Sequence, residues 1–321
     1  MKIFYVILTY NHPALLGRTI GALAGPESWF YIHVDKQIGT APFRQQTAGQ
    51  PQVRFLDDTE RVASKWGHIS TVDAALNTLR KIKAEHPDEK EGFIVLLSGQ
   101  DYPIRSRAYI RDFLESHAST TFMQTEPLPY SNLSEGGLNR VRDTYFHLGG
   151  RLVQRIRPYR IDKENAVTYY KILRYRPSQL FAAIGAFFVR RKFPLKDYRH
   201  YVGEFWCGFP LQTGDLLLDL TDSHPEYRNF HRRTMIPEEC FFHTLVANNV
   251  EKLPGPLDGG TLHYVDWSDR HTPAVFDTSH RDALLRVIET EPELLFARKF
   301  DDSTPEGREI LDFIDSHIHE R

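Results

Sequence analysis

Two adjacent carboxylates follow a proline in the segment 236–239 (IPEE), just before an apolar stretch with helical spacing. Proline suits the first turn of a helix, and acids there match the helix dipole, each stabilising the helix by about 0.3–1 kcal/mol. The same position suits a general base, because a carboxylate on a rigid helix facing a cleft can reach a substrate hydroxyl. From the residues alone, Glu238 and Glu239 are either structural or catalytic.

Two earlier turns combine glycine with groups that could contact a ligand. In the segment 66–68 (WGH), the glycine permits close backbone approach, and Trp66 either stacks on a base or sugar ring or packs at a helix start. The segment 98–105 (SGQDYPIR) turns sharply after an apolar strand. There Asp101 either contacts a ligand or forms a structural ion pair with Arg105.

Aromatic and cationic residues recur near the end of the chain, at 266–267 (DW), 270–271 (RH) and 298–299 (RK). A single Lys or Arg is usually only solvated, so these residues alone do not define a site.

Several kinds of chemistry lack their motifs. The fifteen histidines include no H-E-x-x-H, no paired C-x-x-C is present, and His317-x-His319 lies in a tail expected to fray, so zinc is not expected. There is no G-x-S-x-G, and Cys240 has no local signature of a nucleophile. The G-x-G-x-x-G and P-loop patterns are also missing.

Residues 1–126 alternate strand and helix patterns, which predicts a wound α/β sheet with parallel pairing. The expected elements are strands at 2–10, 29–35, near 53–57 and at 93–99, with helices at 14–23 and 69–86. The carboxyl ends of such strands border the ligand crevice, where Thr9, Asp35 and Asp101 would gather.

The chain becomes less regular after residue 126. The segment 150–176 interleaves basic and aromatic residues, which predicts an amphipathic helix with a solvated basic face or, less often, the lining of an anionic channel. We expect a strand or hairpin near 181–191 (FAAIGAFFVRR) and a helix that begins at residue 236, in the segment 236–249 (IPEECFFHTLVANN). A short strand at 262–267 and two helical stretches follow.

Composition and charge limit the class of protein. With 321 residues, 41% hydrophobic and 26% charged, the chain is an ordinary globular one, and its net charge of −2 argues against coating nucleic acid or an anionic membrane. The two cysteines, Cys207 and Cys240, fit small buried residues of a reducing compartment, although one bridge is compatible with the count. The N-terminal apolar run is too short to span a membrane and is followed by no cleavage site.

Taken together, several segments resemble the core-2/I-branching N-acetylglucosaminyltransferase and peptide O-xylosyltransferase family, glycosyltransferase family 14, in a bacterial-type form. They lie in order at 31–36 (YIHVDK), 66–67 (WG), 97–105 (LSGQDYPIR), 237–244 (PEECFFHT), 264–267 (YVDW) and 295–301 (LFARKFD). The resemblance implies a GT-A-like α/β fold with a mixed central sheet, flanking helices and a C-terminal extension. It implies an inverting transfer of a sugar from a UDP-sugar to a hydroxyl.

The family's catalytic Glu matches Glu239, which the resemblance makes the general base, leaving Glu238 to match the helix dipole. No Asp-x-Asp pair is present, and the family is similar in working without a divalent metal, so we expect no metal or cofactor. It uses an Arg and a Lys near the C-terminus to neutralise the diphosphate. Lys299 matches the Lys, and either Arg270 or His271 takes the Arg position, with Arg270 favoured because a guanidinium grips two phosphate oxygens.

The resemblance also distributes the remaining site residues. Asp35, Trp66 and Asp101 would lie by the donor, whereas acceptor-binding residues would be Glu204, Trp206, Asp266 and Trp267. The segment 203–206 (GEFW) departs from the family's usual Gly-Ser-Gln-Trp, which leaves acceptor choice open.

We expect one domain, with a nucleotide-sugar-binding half at 1–126, an acceptor half at 127–260 and an extension at 261–321 that completes the diphosphate site. The segment 241–244 (FFHT) leans towards the xylosyltransferase branch, so the donor is UDP-xylose or UDP-GlcNAc. The expected acceptor is a glycan, glycolipid or peptide. We expect no nucleic-acid partner, and a cytoplasmic location with at most peripheral contact with the inner membrane face. A non-catalytic binding module of the same fold and a metal-dependent sugar-nucleotide hydrolase remain as alternatives.

Overall fold

The computed structural model describes residues 1–150, 152–268 and 272–319, and of residues 318 and 319 only the backbone. The strands are β1 (Ile3–Thr9), β2 (Ser28–Val34), β3 (Val53–Phe55), β4 (Phe93–Ser98), β5 (Asp101–Pro103), β6 (Thr121–Phe122), β7 (Glu126–Pro127), β8 (Thr144–Gly149), β9 (Leu152–Ile156), β10 (Tyr201–Val202), β11 (Gly208–Pro210), β12 (Leu257–Asp258), β13 (His263–Val265) and β14 (Phe296–Arg298).

The α-helices are α1 (Pro13–Leu23), α2 (Ala41–Gln46), α3 (Ser70–Glu85), α4 (Arg107–Ser116), α5 (Leu138–Arg142), α6 (Lys163–Tyr175), α7 (Leu180–Phe188), α8 (Leu211–Ser223), α9 (Pro225–His231), α10 (Phe241–Ala247), α11 (Arg281–Thr290) and α12 (Pro305–His319). Short 3-10 turns include Pro237–Glu239, immediately before α10.

Within the described ranges, a central sheet of seven strands has the order β12-β6-β11-β4-β1-β2-β3. β1 pairs in parallel with β2 and β4, and β3 extends the sheet in parallel beside β2. β11 lies antiparallel to β4 and β6, which makes the sheet mixed. The expected α/β class, with a mixed central sheet and flanking helices, is confirmed.

β1 is buried on both faces because alternate residues enter different clusters. Phe4 and Val6 pack with apolar residues of α3 and α8, whereas Ile3, Tyr5 and Ile7 pack with those of α1 and α4. Helices on both sides of the sheet explain the uninterrupted apolar run in the sequence. The strand leaves the core at its carboxyl end, where polar residues begin.

The C-terminal extension adds a second sheet of three strands, in the order β13-β14-β5. β14 pairs in parallel with β13 and antiparallel with β5, the strand that follows β4 after a two-residue turn. α11 and α12 cover this sheet through a cluster that includes Tyr102, Leu284 and Ile310. The extension is therefore attached directly to the carboxyl end of β4.

Two expectations for the region after residue 126 are wrong. The segment expected as a strand or hairpin near 181–191 forms α7, in which Ala183 packs on Ile172 of α6. An apolar run without polar alternation does not distinguish a strand from a helix by periodicity, which explains the error. The segment 150–176 is not one helix either, because its first part forms β9, which pairs with β8. The helix α6 begins only after Asp162, whose carboxylate caps it by accepting a hydrogen bond from the Asn165 amide (2.9 Å).

The helix expected from residue 236 also differs. Ile236 has a left-handed backbone (φ 50°), residues 237–239 form a separate 3-10 turn, and α10 begins at Phe241. The two carboxylates therefore lie on a turn ahead of the helix rather than in its first turn. No helix in the described part of the chain is long and apolar enough to cross a bilayer.

Candidate active site

The carboxyl ends of β1, β2 and β4 meet at one edge, as predicted. The Asp35 amide donates to the Thr9 carbonyl (2.8 Å), and the Gly99 amide donates to the Leu8 carbonyl (2.9 Å). The buried Asp35 carboxylate accepts hydrogen bonds from the amides of Gln37 and Ser64, both 2.8 Å. Asp35 thus fixes the two loops that border this edge.

The loop after residue 64 brings an aromatic ring towards the paired carboxylates. Trp66 is 48% exposed, so it is not the buried packing residue that the sequence also allowed. Gly67 has φ +65°, a conformation that glycine adopts without strain. Its carbonyl accepts a hydrogen bond from the Ile236 amide (3.3 Å), which ties the Trp66 loop to the turn carrying Glu238 and Glu239.

Glu239 forms an ion pair that the sequence did not reveal. Its Oε2 lies 2.5 Å from Nη1 of Arg140 on α5, and the Arg140 side chain is largely buried while that of Glu239 is partly exposed. Desolvation opposes the charge on Arg140, but the adjacent Glu239 outweighs it and raises the pKa of the guanidinium. The Glu239 carboxylate is thus held by one cation with part of its surface open to solvent.

Glu238 differs from its neighbour, because its Oε2 is buried and has no hydrogen-bond partner among the described residues. Burial, reinforced by the negative charge of Glu239, raises the pKa of Glu238 to about 8. The expectation that Glu238 matches the dipole of the following helix is wrong, because α10 begins only at Phe241, and the raised pKa favours the neutral carboxyl.

The segment 203–206 links the Glu239 turn to the expected acceptor residues. The Gly203 amide donates to the Glu239 carbonyl (3.0 Å), and Glu204 Oε1 accepts a hydrogen bond from Trp267 Nε1 (3.2 Å). Trp206 faces the guanidinium of Arg298, whose central carbon lies 4.5 Å from the ring centroid. Three of the four predicted acceptor residues thus lie along one connected strip.

The fourth predicted acceptor residue, Asp266, forms hydrogen bonds within the loop that follows β13. Its Oδ1 accepts a hydrogen bond from the Ser268 amide (2.7 Å), and its carbonyl accepts one from the Ala274 amide (2.8 Å).

Asp101 is fully buried at the start of β5. Its carboxylate accepts hydrogen bonds from the Ser98 amide and from Arg298 Nε (3.1 Å), and lies 3.5 Å from His263 Nε2. Burial alone would raise the pKa of Asp101, but Arg298, His263 and Ser98 outweigh it and lower the pKa. Asp101 thus lies beneath the surface as the partner of Arg298, and the ion pair with Arg105 weighed from the sequence is wrong.

Arg105 donates instead to main-chain carbonyls, including those of Leu294 (3.1 Å) and Glu291 (2.7 Å). This guanidinium ties the start of α4 to the segment between α11 and β14.

Lys299 follows Arg298 at the end of β14 and has a fixed main chain. Its amide donates to the Ala274 carbonyl (3.2 Å), and its carbonyl accepts from the Phe276 amide (2.8 Å). The next residue, Phe300, donates its amide to the Gln100 carbonyl (2.9 Å), which anchors this segment at the carboxyl end of β4. Arg270 and His271 lie outside the described residues.

His243 positions the main chain of Glu204. In the sequence, His243 stood out only as part of the segment 237–244 that carries the family resemblance. Its Nε2 lies 2.9 Å from the Glu204 carbonyl, and burial lowers its pKa to about 4, so a neutral imidazole donates this hydrogen bond. Arg140 and His243 were missed because their partners are 99 and 39 residues away in sequence. Only the two arginines in the short segment 138–142 hinted at a cation there.

Among the described residues, one group could offer three ligands to a metal: His12, Asp301 and Asp302. His12 Nδ1 lies 2.8 Å from Asp302, and Asp301 Oδ1 accepts hydrogen bonds from the Ser303 amide and hydroxyl. Hydrogen bonds within the group account for this geometry. Cys207 and Cys240 are buried and unbridged, and burial raises the pKa of Cys240 to about 12, which excludes an activated thiolate.

Comparison with known proteins finds similarity to one family model and to xylosyltransferases. Residues 3–147 match the family model described as Core-2/I-Branching enzyme. Xylosyltransferase 2 of Pan troglodytes is 23% identical over 335 residues, covering 99% of this chain and 34% of that protein. Xylosyltransferase 1 of Rattus norvegicus is 25% identical over 338 residues, covering 99% and 36%.

The chain spans about a third of the length of the curated relatives it matches. The crystal structure of mouse xyloside xylosyltransferase 1 in its apo form aligns with 94% of this chain and 99% of that chain, at 11% identity and a TM-score of 0.34.

Proposed function

Because residues 3–147 match the Core-2/I-Branching enzyme family model, we propose that the protein is an inverting, metal-independent glycosyltransferase of GT-A fold. It transfers xylose or N-acetylglucosamine from a UDP-sugar to a hydroxyl of a glycan, glycolipid or peptide. The observation that carries this proposal is the continuity of the site, since segment 203–206 connects Glu239 with Trp267 and Arg298.

Glu239 acts as the general base. The acceptor oxygen bonds to the anomeric carbon from the face opposite UDP, while the bond from that carbon to the β-phosphate oxygen breaks. The hydroxyl proton passes to the Glu239 carboxylate, and the electron pair of the broken bond leaves with UDP. Arg140 keeps the carboxylate oriented before the acceptor arrives, because it grips one of its oxygens (2.5 Å).

The leaving diphosphate is neutralised by side chains rather than by a bound ion. The proposed cations are Lys299 and either Arg270 or His271, with Arg270 favoured. The ion pair between Asp101 and Arg298 holds the segment that carries Lys299. Fixed cations in a partly dry site can supply the charge stabilisation that a magnesium ion supplies elsewhere. Asp35 and Trp66 are proposed to border the donor.

The donor sugar is a narrower part of the proposal. The segment 241–244, which leans towards xylosyltransferases, is fully buried, so its side chains pack the core rather than contact a donor. Support for xylose therefore comes from the names of the relatives. The proposed location is the cytoplasm. The two unbridged cysteines support this location, because free buried cysteines suit a reducing compartment.

A second candidate is a binding module of the same fold without turnover. The Arg140–Glu239 ion pair favours it, because a carboxylate neutralised by a guanidinium is a weaker proton acceptor than a free one.

A donor screen tests both candidates. UDP release is measured with UDP-xylose and with UDP-GlcNAc, mixed glycan and peptide acceptors, and either EDTA or magnesium. We expect acceptor-dependent UDP release that EDTA does not reduce. Loss of activity in EDTA would contradict the cation-based account, and UDP-sugar binding without release would favour the binding module.

A further inference from the structure

Apolar side chains are exposed in unusual number between β9 and β10. Of the seventeen large hydrophobic residues that are exposed in the described structure, ten lie between residues 159 and 189. Ile161 is 95% exposed and Phe181 is 86% exposed, values close to those of an unfolded chain. Large exposed apolar patches on soluble domains generally mark an interaction surface.

These side chains form a continuous surface, which we call the 159–190 patch. It consists of Tyr159, Arg160, Ile161, Phe181, Ile184, Phe188 and Arg190.

Hydrogen bonds and helical spacing join the members of the patch. The Tyr159 amide donates to the Phe187 carbonyl (2.8 Å), and its hydroxyl donates to the Phe188 carbonyl (2.6 Å). Ile161 and Phe188 line the same groove of about 300 Å³ between this loop, α6 and the end of α7. Phe181 lies one helical turn before Ile184, on the same face of α7.

The patch lies in the most basic part of the chain. Residues 151–192 contain eleven Lys and Arg against two Asp and Glu, whereas the rest of the chain contains 29 against 40. Arg190 lies over the Tyr159 ring, 5.8 Å from its centroid. Within the described residues, neither Arg160 nor Arg190 has a carboxylate at ion-pair distance, and both residues are exposed.

We propose that the 159–190 patch docks the protein on the surface of an anionic lipid bilayer. Exposed apolar side chains next to exposed cations are typical of interfacial membrane-binding elements, in which the apolar groups enter the headgroup boundary and the cations face lipid phosphates. α6 and α7 span 13 and 9 residues, so they lie on the membrane rather than cross it.

Charge favours a bilayer over a second copy of the chain. A symmetric dimer through this patch would bring two strongly basic surfaces together, and like charges at short range repel. The overall net charge of −2 hides this asymmetry, because the acidic excess lies in the rest of the molecule. The inference concerns attachment and does not depend on the proposed sugar transfer.

Vesicle sedimentation tests this proposal on the full chain. Vesicles of phosphatidylcholine alone are compared with vesicles of phosphatidylcholine mixed with phosphatidylglycerol, at low and at high salt. We expect binding to the anionic vesicles, weakened by salt because the Debye length shortens. Neutralising both cations in Arg160→Gln/Arg190→Gln should weaken partitioning roughly 30-fold, since each basic residue near such a surface contributes about 1 kcal/mol.

The apolar contribution is tested separately with Ile161→Asp and Phe181→Asp. Both side chains are exposed, so neither change should alter the thermal midpoint, yet each should reduce vesicle binding about tenfold or more. Val250→Asp and Lys90→Gln, at exposed positions elsewhere, are the matched controls and should bind as the wild type does.

Three results would overturn the proposal. They are no binding to anionic vesicles, equal binding by the wild type and the patch variants, and light scattering that shows a dimer which Ile161→Asp converts to a monomer. The last result would assign the patch to self-association.

Discussion

The two neighbouring glutamates show how position within one turn separates chemical roles. Glu239 is partly exposed and paired with Arg140, whereas the Glu238 Oε2 is buried and finds no hydrogen-bond partner in the described part of the chain. The sequence could single out this pair and, through the family resemblance, favour Glu239 as the base. It could not predict Arg140 or the neutral state of Glu238, because both depend on which distant residues fold against the turn.

Glu238 should make stability depend on pH. Its folded pKa of about 8 exceeds the ordinary value of 4.5, so the native state holds the proton more tightly than the unfolded state. The associated stability is complete below about pH 4.5 and is lost as pH rises towards 8. Urea unfolding of Glu238→Gln and wild type measures this effect. As the pH rises from about 5 to about 9, the unfolding free energy of Glu238→Gln should increase relative to that of the wild type by at least about 1 kcal/mol.

Exposed Glu251 provides the control, since Glu251→Gln should leave the pH profile of the unfolding free energy unchanged. Parallel profiles for wild type and Glu238→Gln would show that Glu238 is already ionised at neutral pH.

Lys299 should contribute to binding of the diphosphate rather than of the nucleoside. Lys299→Ala should weaken UDP binding by about 1.5–3 kcal/mol, the magnitude of a charge-assisted hydrogen bond, and leave uridine binding unchanged. Isothermal titration with UDP and with uridine measures both, and Lys90→Ala controls for the loss of one positive charge. An unchanged dissociation constant for UDP would remove Lys299 from the site.

Among the structural elements, segment 203–206 depends on a close backbone contact. A Cβ on Gly203 would lie 2.0 Å from the Gln124 carbonyl oxygen and 2.7 Å from the His243 ring. Only glycine allows this approach, which sets the position of Glu204 and Trp206. The sequence identified this segment as a departure from the family pattern, but its contacts across the molecule were not predictable from local spacing.

Gly203→Ala should therefore disturb the site and the stability together. Overpacking of this kind typically lowers the unfolding free energy by about 1–3 kcal/mol. The turnover rate should also fall, because Glu204 and Trp206 must shift. Gly21→Ala is a matched control, since a Cβ there meets nothing within 4 Å on helix α1. Chemical denaturation and rate measurements on both variants test this prediction. A Gly203→Ala variant with the wild-type unfolding free energy and turnover rate would contradict this role of Gly203.

Across the whole molecule, the sequence predicted the wound first half better than the rest. Apolar runs and amphipathic spacing place β1, β2, β4, α1 and α3 near their observed bounds, because local patterns decide those elements. The region 127–200 was less predictable, since α7 and the β8–β9 hairpin depend on partners within their own small cluster. The C-terminal extension was expected to complete the site, and its β14 joins β5 at the predicted edge.

Turnover by Glu239→Gln tests the central claim most directly. We predict that acceptor-dependent UDP release falls by about 10²–10⁴-fold, the usual contribution of a general base, while the dissociation constant for UDP stays unchanged. Glu238→Gln and Glu251→Gln, assayed in parallel, should retain most of the wild-type rate. A Glu239→Gln variant that releases UDP at the full wild-type rate would contradict the account.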